Sequence, residues 1–171
     1  MDTKKVLAGL LLFSVVMASC LKKPSACGYT AVKVVAPAAE VQNLKDSLYT
    51  HNITDFTADP SGIMYHVDTI GTGKGITNLC STLSMTYRGS YFGGTGAFDS
   101  TTGTALATFQ LGQVIVGLQY GIPFIKTGGQ ITIYIPPTLG YGATAVTNNS
   151  GVVVIPASAD LIFTVRLYGV Q

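Results

Sequence analysis

Few residues of this chain are equipped to break bonds. Its 171 residues include three cysteines and two histidines. Neither Cys27 nor Cys80 has a histidine or a second cysteine at metal-ligand spacing, and His51 and His66 stand apart, so no zinc site is expected. No serine sits in a nucleophile elbow, and "GTGKG" at 71–75 lacks the G-x-x-x-x-G-K-[ST] order that cradles phosphate. It reads as a hairpin turn. What the chain does carry is a set of aromatic and apolar residues at strand ends and in loops: Tyr87, Phe98, Val114, Ile115, Tyr141, Ile155 and Phe163. Tyr141 lies in "IYIPPTLGYGA", where Pro136 and Pro137 cannot donate to a strand ladder and so end a strand begun at Gln130. Side chains of this kind bind apolar matter and need no nucleophile.

The elements that must position them follow from periodicity. In "PAAEVQNLKDSLYTHN", Pro37 opens a short amphipathic helix with Glu40 in its first turn and Val41, Leu44 and Leu48 along one face. A turn at "TADPSGI" separates it from a β-rich remainder. There Ile63, Tyr65 and Val67 share a face, as do Leu83, Met85 and Tyr87; Ile131, Ile133 and Ile135; and Leu161, Phe163, Val165 and Leu167. One apolar face per strand predicts an antiparallel sheet covered on one side only. The single helical candidate inside this region runs from about Gly117 to Tyr120, with Pro123 close behind. The fold class is therefore α+β, a twisted antiparallel sheet wrapped over one short α-helix, with a short N-terminal helical appendage.

Composition bounds the partners. Charged residues make up 11% and hydrophobic ones 47%, with a formal charge of +2, which excludes a disordered chain and gives no basic patch for nucleic acid. "MDTKKVLAGLLLFSVVMASC" places Lys4 and Lys5 before an apolar run from Val6 to Met17 and small residues before Cys20, the build of a bacterial export signal. It resembles a lipoprotein signal, residues 1–19, cleaved so that Cys20 carries a lipid; an ordinary secretory peptide is the alternative. Cleavage leaves 8 basic and 7 acidic residues. Residues 20–36 then read as a lipidated tether and 37–61 as the helix and a linker. Cys27 and Cys80 remain, a pair that forms a disulfide in an oxidising compartment or else stays as two buried thiols.

From about Gly62 to the C-terminus the chain resembles the FK506-binding-protein family of peptidyl-prolyl cis-trans isomerases, in particular its bacterial macrophage-infectivity-potentiator and periplasmic branch. The motifs are "YRGSYFGGTGAFDS", "FQLGQVIVGLQYGI", "GGQITIYIPPTLGYGA" and "VIPASADLIFTVRL", in the family's order. The resemblance implies an isomerase domain over 62–171. Tyr87, Phe98 and Asp99 would form one wall of a proline pocket and Tyr141 would offer its hydroxyl to the peptide. Val114 and Ile115 would stand at the helix start, with Ile155 on a loop and Phe163 on the floor. It implies proline-containing polypeptides and FK506-like macrolides as ligands, with no cofactor. The Cys20 lipid implies a site in the bacterial envelope, and Leu21, Lys22 and Lys23, with no acidic run after the lipid site, point to the outer membrane facing the periplasm. Leu118 stands where the family usually has a pocket-base tryptophan, "STTGT" lacks the arginine often paired with the aspartate, and Ala107 falls where an aromatic wall is expected. The loop "TAVTNNSGVVV" is longer than usual. Together these predict a shallower pocket and leave, as the alternative to a working isomerase, a proline-binding chaperone-like module with weak or no isomerase activity.

Overall fold

A computed structural model describes residues 27–171. Helix α1 (Ala38–Thr50) begins after Pro37 and buries Leu44 and Leu48. The strands follow as β1 (Thr57–Ala58), β2 (Met64–Thr69), β3 (Thr82–Tyr91), β4 (Asp99–Ser100) and β5 (Ala107–Gln110). After helix α2 (Val116–Gly121) come β6 (Gln130–Ile135), β7 (Val146–Thr147), β8 (Val153–Ile155) and β9 (Leu161–Val170). The main sheet has the order β1-β2-β6-β9-β3-β4, with β5 also on β3, and every pairing is antiparallel. β7 and β8 form a separate hairpin.

The predicted apolar faces point into one core. Ile63, Leu83, Met85, Ile131, Ile133, Ile135, Leu161, Phe163, Val165 and Leu167 are all buried there, with Leu118 and Ile122 above them. Helix α2 sits close on β6 because its contact stripe is glycine: a Cβ on Gly117 would lie 2.4 Å from Ile135 and one on Gly121 2.5 Å from Ile133.

The sheet is covered on both faces, contrary to the single-sided expectation. Leu44 and Leu48 of α1 pack on Met64 and Tyr134, residues one step out of phase with the main core, with Ile162 and Phe92 beside them. Short strands beneath a returning helix can bury both alternations. Polar contacts hold α1 at two points: the Glu40 carboxylate accepts from the Thr138 N–H and hydroxyl, both at 2.8 Å, and the Ser47 hydroxyl donates to Asp160 at 3.1 Å.

Two further expectations are corrected. The 71–75 glycines do not make a hairpin between neighbours, because β2 pairs with β6 rather than β3. They dock on the turn before β6, with Lys126 N–H donating to Ile70 O (2.7 Å) and Thr127 N–H to Lys74 O (3.0 Å). Gly71, at φ +80°, leaves no room for a Cβ against that backbone. The described part of the 20–36 segment is also more than a spacer. Cys27 is joined to Cys80, the Val34 N–H donates to the Tyr120 hydroxyl (2.9 Å), which donates in turn to Val32 O (2.8 Å), and Ala36 is buried. Residues 27–36 are a strap tied across the domain.

Candidate functional site

Between β3, β9 and the N-terminal end of α2 the sheet opens into a cavity of about 280 Å³. β3 contributes Met85 and Tyr87, and β9 contributes Phe163 and Val165. Each pair sits two residues apart and so shares a face. Asp99 enters from β4, Phe109 from β5, Gln113, Val114 and Ile115 from the connection to α2, Leu118 from α2 itself, and Tyr141 from the loop after β6.

The backbone fixes these side chains locally. Gly89 of β3 pairs with both Asp99 and Phe163. A Cβ there would lie 2.7 Å from Phe163 and 2.9 Å from Phe98, so the glycine makes space for two rings meeting edge to face. Pro137 starts a short 3-10 turn, and its carbonyl accepts the N–H groups of both Gly140 and Gly142 at 2.9 Å. Gly142 adopts φ +73°, and a Cβ on Gly140 would meet Leu161 at 2.7 Å. The paired prolines and flanking glycines therefore turn the chain tightly and leave Tyr141 at the cavity mouth, 41% exposed. Gln119 donates to Val114 O at 2.8 Å, and the Gln113 carboxamide oxygen accepts the Gln110 N–H at 2.9 Å, which together hold the segment before α2. The Ile115 N–H has no acceptor among the described residues.

The polar atoms cluster on one side. The Tyr87 hydroxyl donates to Asp99 Oδ2 at 2.7 Å. Burial, then that hydrogen bond and the Asp99 charge, push the Tyr87 phenol up to about 12 from its usual 10. Burial also raises Tyr141, with a contribution from Asp99. The phenols are thus held protonated and able to donate. Among the described residues no cation pairs with Asp99, and no group of three His, Cys, Asp or Glu side chains could hold a metal.

The structure brings together Tyr87, Asp99, Val114, Ile115, Leu118, Tyr141 and Phe163 of the residues singled out from sequence. Phe98 stands behind the wall, packing its ring on Phe163 (5.6 Å) and Tyr141 (6.2 Å). Ile155 belongs to β8 and is buried in the core instead of lining the cavity. The long loop is a hairpin whose turn is closed by the Asn148 side chain accepting from Ser150 and Val152 N–H, both at 3.0 Å. The aromatic side thought missing at Ala107 is supplied by Phe109, two residues on, whose ring meets Tyr87 edge-on at 6.1 Å. Sequence reasoning passed over Phe109, Met85, Gln113 and Val165. The two-residue period from Ala107, Tyr87 and Phe163 points to three of them; Gln113 left no such mark.

A sheet curved over a short helix, with an aromatic hollow at the helix start and one carboxylate held by a phenol, defines an apolar binding domain of the FK506-binding type. The family model for FKBP-type peptidyl-prolyl cis-trans isomerases matches residues 75–168, and the chain belongs to that family. Among curated relatives, FkpA of Buchnera aphidicola subsp. Schizaphis graminum is 32% identical over 145 residues, covering 82% of this chain and 55% of the relative. FkpA of Escherichia coli K12 is 33% identical over 111 residues, 65% of this chain and 38% of the relative. The chain spans about half the length of the curated relatives it matches. The crystal structure of Escherichia coli FkpA superposes with a TM-score of 0.64 at 29% identity, covering 78% of this chain and 60% of that one. A Pseudomonas syringae peptidyl-prolyl cis-trans isomerase shares the fold, with a TM-score of 0.63 at 23% identity, over 80% of this chain and 97% of that one.

Proposed function

We propose that this chain catalyses cis-trans isomerisation of X-Pro bonds in exported polypeptides. The observation that carries the reading is the apolar cavity, walled by Tyr87, Phe109 and Phe163 and floored by Leu118, with phenol donors and one carboxylate at its mouth. Rotation about a peptide bond meets a barrier of roughly 18 to 20 kcal/mol because the planar amide is resonance-stabilised, and an X-Pro bond populates both isomers. No bond breaks, so binding the twisted form more tightly than either planar form is sufficient for catalysis. A proline ring seated on Leu118 and Phe163 would leave water, and the polar planar amide would lose solvation that the twisted form needs less. The Ile115 N–H and the Tyr141 hydroxyl are positioned to hold the peptide carbonyls, and Asp99 acts through its field and hydrogen bonding. An FK506-like macrolide would enter the same cavity.

We also read the chain as an envelope lipoprotein on the periplasmic side of the outer membrane. The export signal and Cys20 carry that reading and lie outside the described residues; a Cys27–Cys80 disulfide suits an oxidising compartment. Magnetisation-exchange NMR on a Leu-Pro peptide with the detergent-purified protein tests the activity: cis-trans exchange should accelerate, and FK506 should suppress it. Binding of the peptide with no acceleration would reduce the site to a proline-binding module. For the anchor, Cys20→Ala should move the protein out of the membrane fraction; unchanged partitioning after signal cleavage would refute lipidation there.

A further inference from the structure

The cavity wall carries an isolated charge. From Gly89 to Ile125, a stretch that supplies β4, β5, the turn before α2 and α2 itself, Asp99 is the sole Asp, Glu, Lys or Arg. Among the described residues it is also the sole formally charged one lining the cavity. Arg88 is close in sequence but belongs to the opposite sheet face, where it lines a separate hollow with His51 and Phe92. The Asp99 carboxylate is exposed, and its one hydrogen bond among the described residues comes from the Tyr87 hydroxyl to Oδ2. That bond leaves the negative charge intact and most of its acceptor capacity open.

We propose that Asp99 makes this site selective for prolines preceded by lysine or arginine and disfavours those preceded by aspartate or glutamate. The inference rests on the reading of the cavity as a prolyl site and deepens it to a substrate class. With a proline ring in the cavity, the preceding residue lies one extended step away, about 3.3 to 3.6 Å along the chain. A lysine or arginine stem can span the remaining distance to the mouth, its methylenes lying over Phe109 or Tyr141 and its cationic end at Asp99. An acidic side chain in that position meets an uncompensated like charge.

The test compares four peptides that differ only in the residue before proline: lysine, glutamine, leucine and glutamate. In low salt, kcat/KM for the lysine peptide should exceed that for glutamate by about five- to tenfold, with glutamine between, as expected for a solvent-exposed charge pair, whose interaction is weak. The ratio should shrink toward one in 1 M salt, where the Debye length falls to about 3 Å, while the leucine peptide changes little. Asp99→Asn should collapse the lysine-to-glutamate ratio whatever it does to absolute rates. Dissociation constants of the same peptides, from NMR chemical-shift titration, read the same ratio without turnover. Preference for lysine in binding with no isomerisation would overturn the catalytic reading alone. Isomerisation with equal lysine and glutamate values, or a ratio that survives Asp99→Asn, would overturn the selectivity.

Discussion

The hydrogen bond from Tyr87 to Asp99 couples a partly buried phenol to an exposed carboxylate, and its signature is in titration. Because the folded phenol is raised to about 12 from 10, it favours the folded state below pH 10. That contribution is lost as pH climbs from 10 through about 12, where only the unfolded chain ionises freely. Asp99→Ala removes the second and third causes of the shift and leaves the largest, burial, in place. The Tyr87 midpoint, followed by NMR of ring-labelled tyrosine, should therefore fall part of the way toward 10; an unmoved midpoint would mean that the hydrogen bond is not formed in solution. Leu118 invites the opposite kind of change. It lines the cavity at 6% exposure, and an indole in its place would extend the floor. A gain of roughly 20 to 40 Å² of apolar contact at about 25 cal/mol per Å² is about 0.5 to 1 kcal/mol. Leu118→Trp should thus tighten FK506 binding severalfold, measured by calorimetry, provided overpacking against the core does not absorb the gain. A stable variant with no tighter binding would show that the ligand does not rest on that floor.

Most of the strands announced themselves, since Leu83, Met85 and Tyr87 or Ile131, Ile133 and Ile135 alternate without interruption, and all of these but the partly buried Tyr87 are buried. Helix α2 was legible from Gly117 to Tyr120 and is longer by a residue at each end. Less legible were the partners of each element. Nothing local tells β2 to pair with β6, or tells the other face of Met64 and Tyr134 that α1 will cover it, because those choices depend on contacts far apart in sequence. The same limit applies to Ile155, where an apolar residue after a long loop could as well face the core as the ligand. Gly89 shows what a strand can still encode. Within β3 its missing side chain is the space where Phe98 and Phe163 meet, directly beside Asp99. Gly89→Ala should push the two rings off their edge-to-face contact and cost about 1 to 3 kcal/mol of stability in urea unfolding. Ligand affinity should fall with it, and an alanine tolerated in both measurements would mean that the rings yield freely and do not set the wall.

Taken as a whole, the molecule is a domain fastened by its own N-terminal strap. The Cys27–Cys80 bond closes a loop of sequence separation 53, and the strap inside it runs beside the segment that carries Val114. Tyr29 packs so closely on Gly112 that a Cβ there would lie 2.2 Å from its ring, and the Gly112 N–H donates to Leu79 O at 2.8 Å, next to Cys80. Disulfide, Tyr29 and the Leu111–Gln113 turn thus form one packed unit bordering the cavity. Closing a loop of this length confines the unfolded chain and so stabilises the fold by about 4 kcal/mol. Reduction need not unfold the domain, because the Tyr120 hydroxyl and buried Ala36 still hold the far end of the strap. The expected result is graded: a clearly lower melting temperature for the reduced protein, with amide exchange rising first across residues 28–34 and at Gly112 while β3, β6 and β9 stay protected. Peptide affinity should weaken modestly as the turn before Val114 loosens. Equal melting temperatures for oxidised and reduced protein would show that the strap is held by its hydrogen bonds and burial alone, and that the cysteine pair contributes nothing to the stability of the fold.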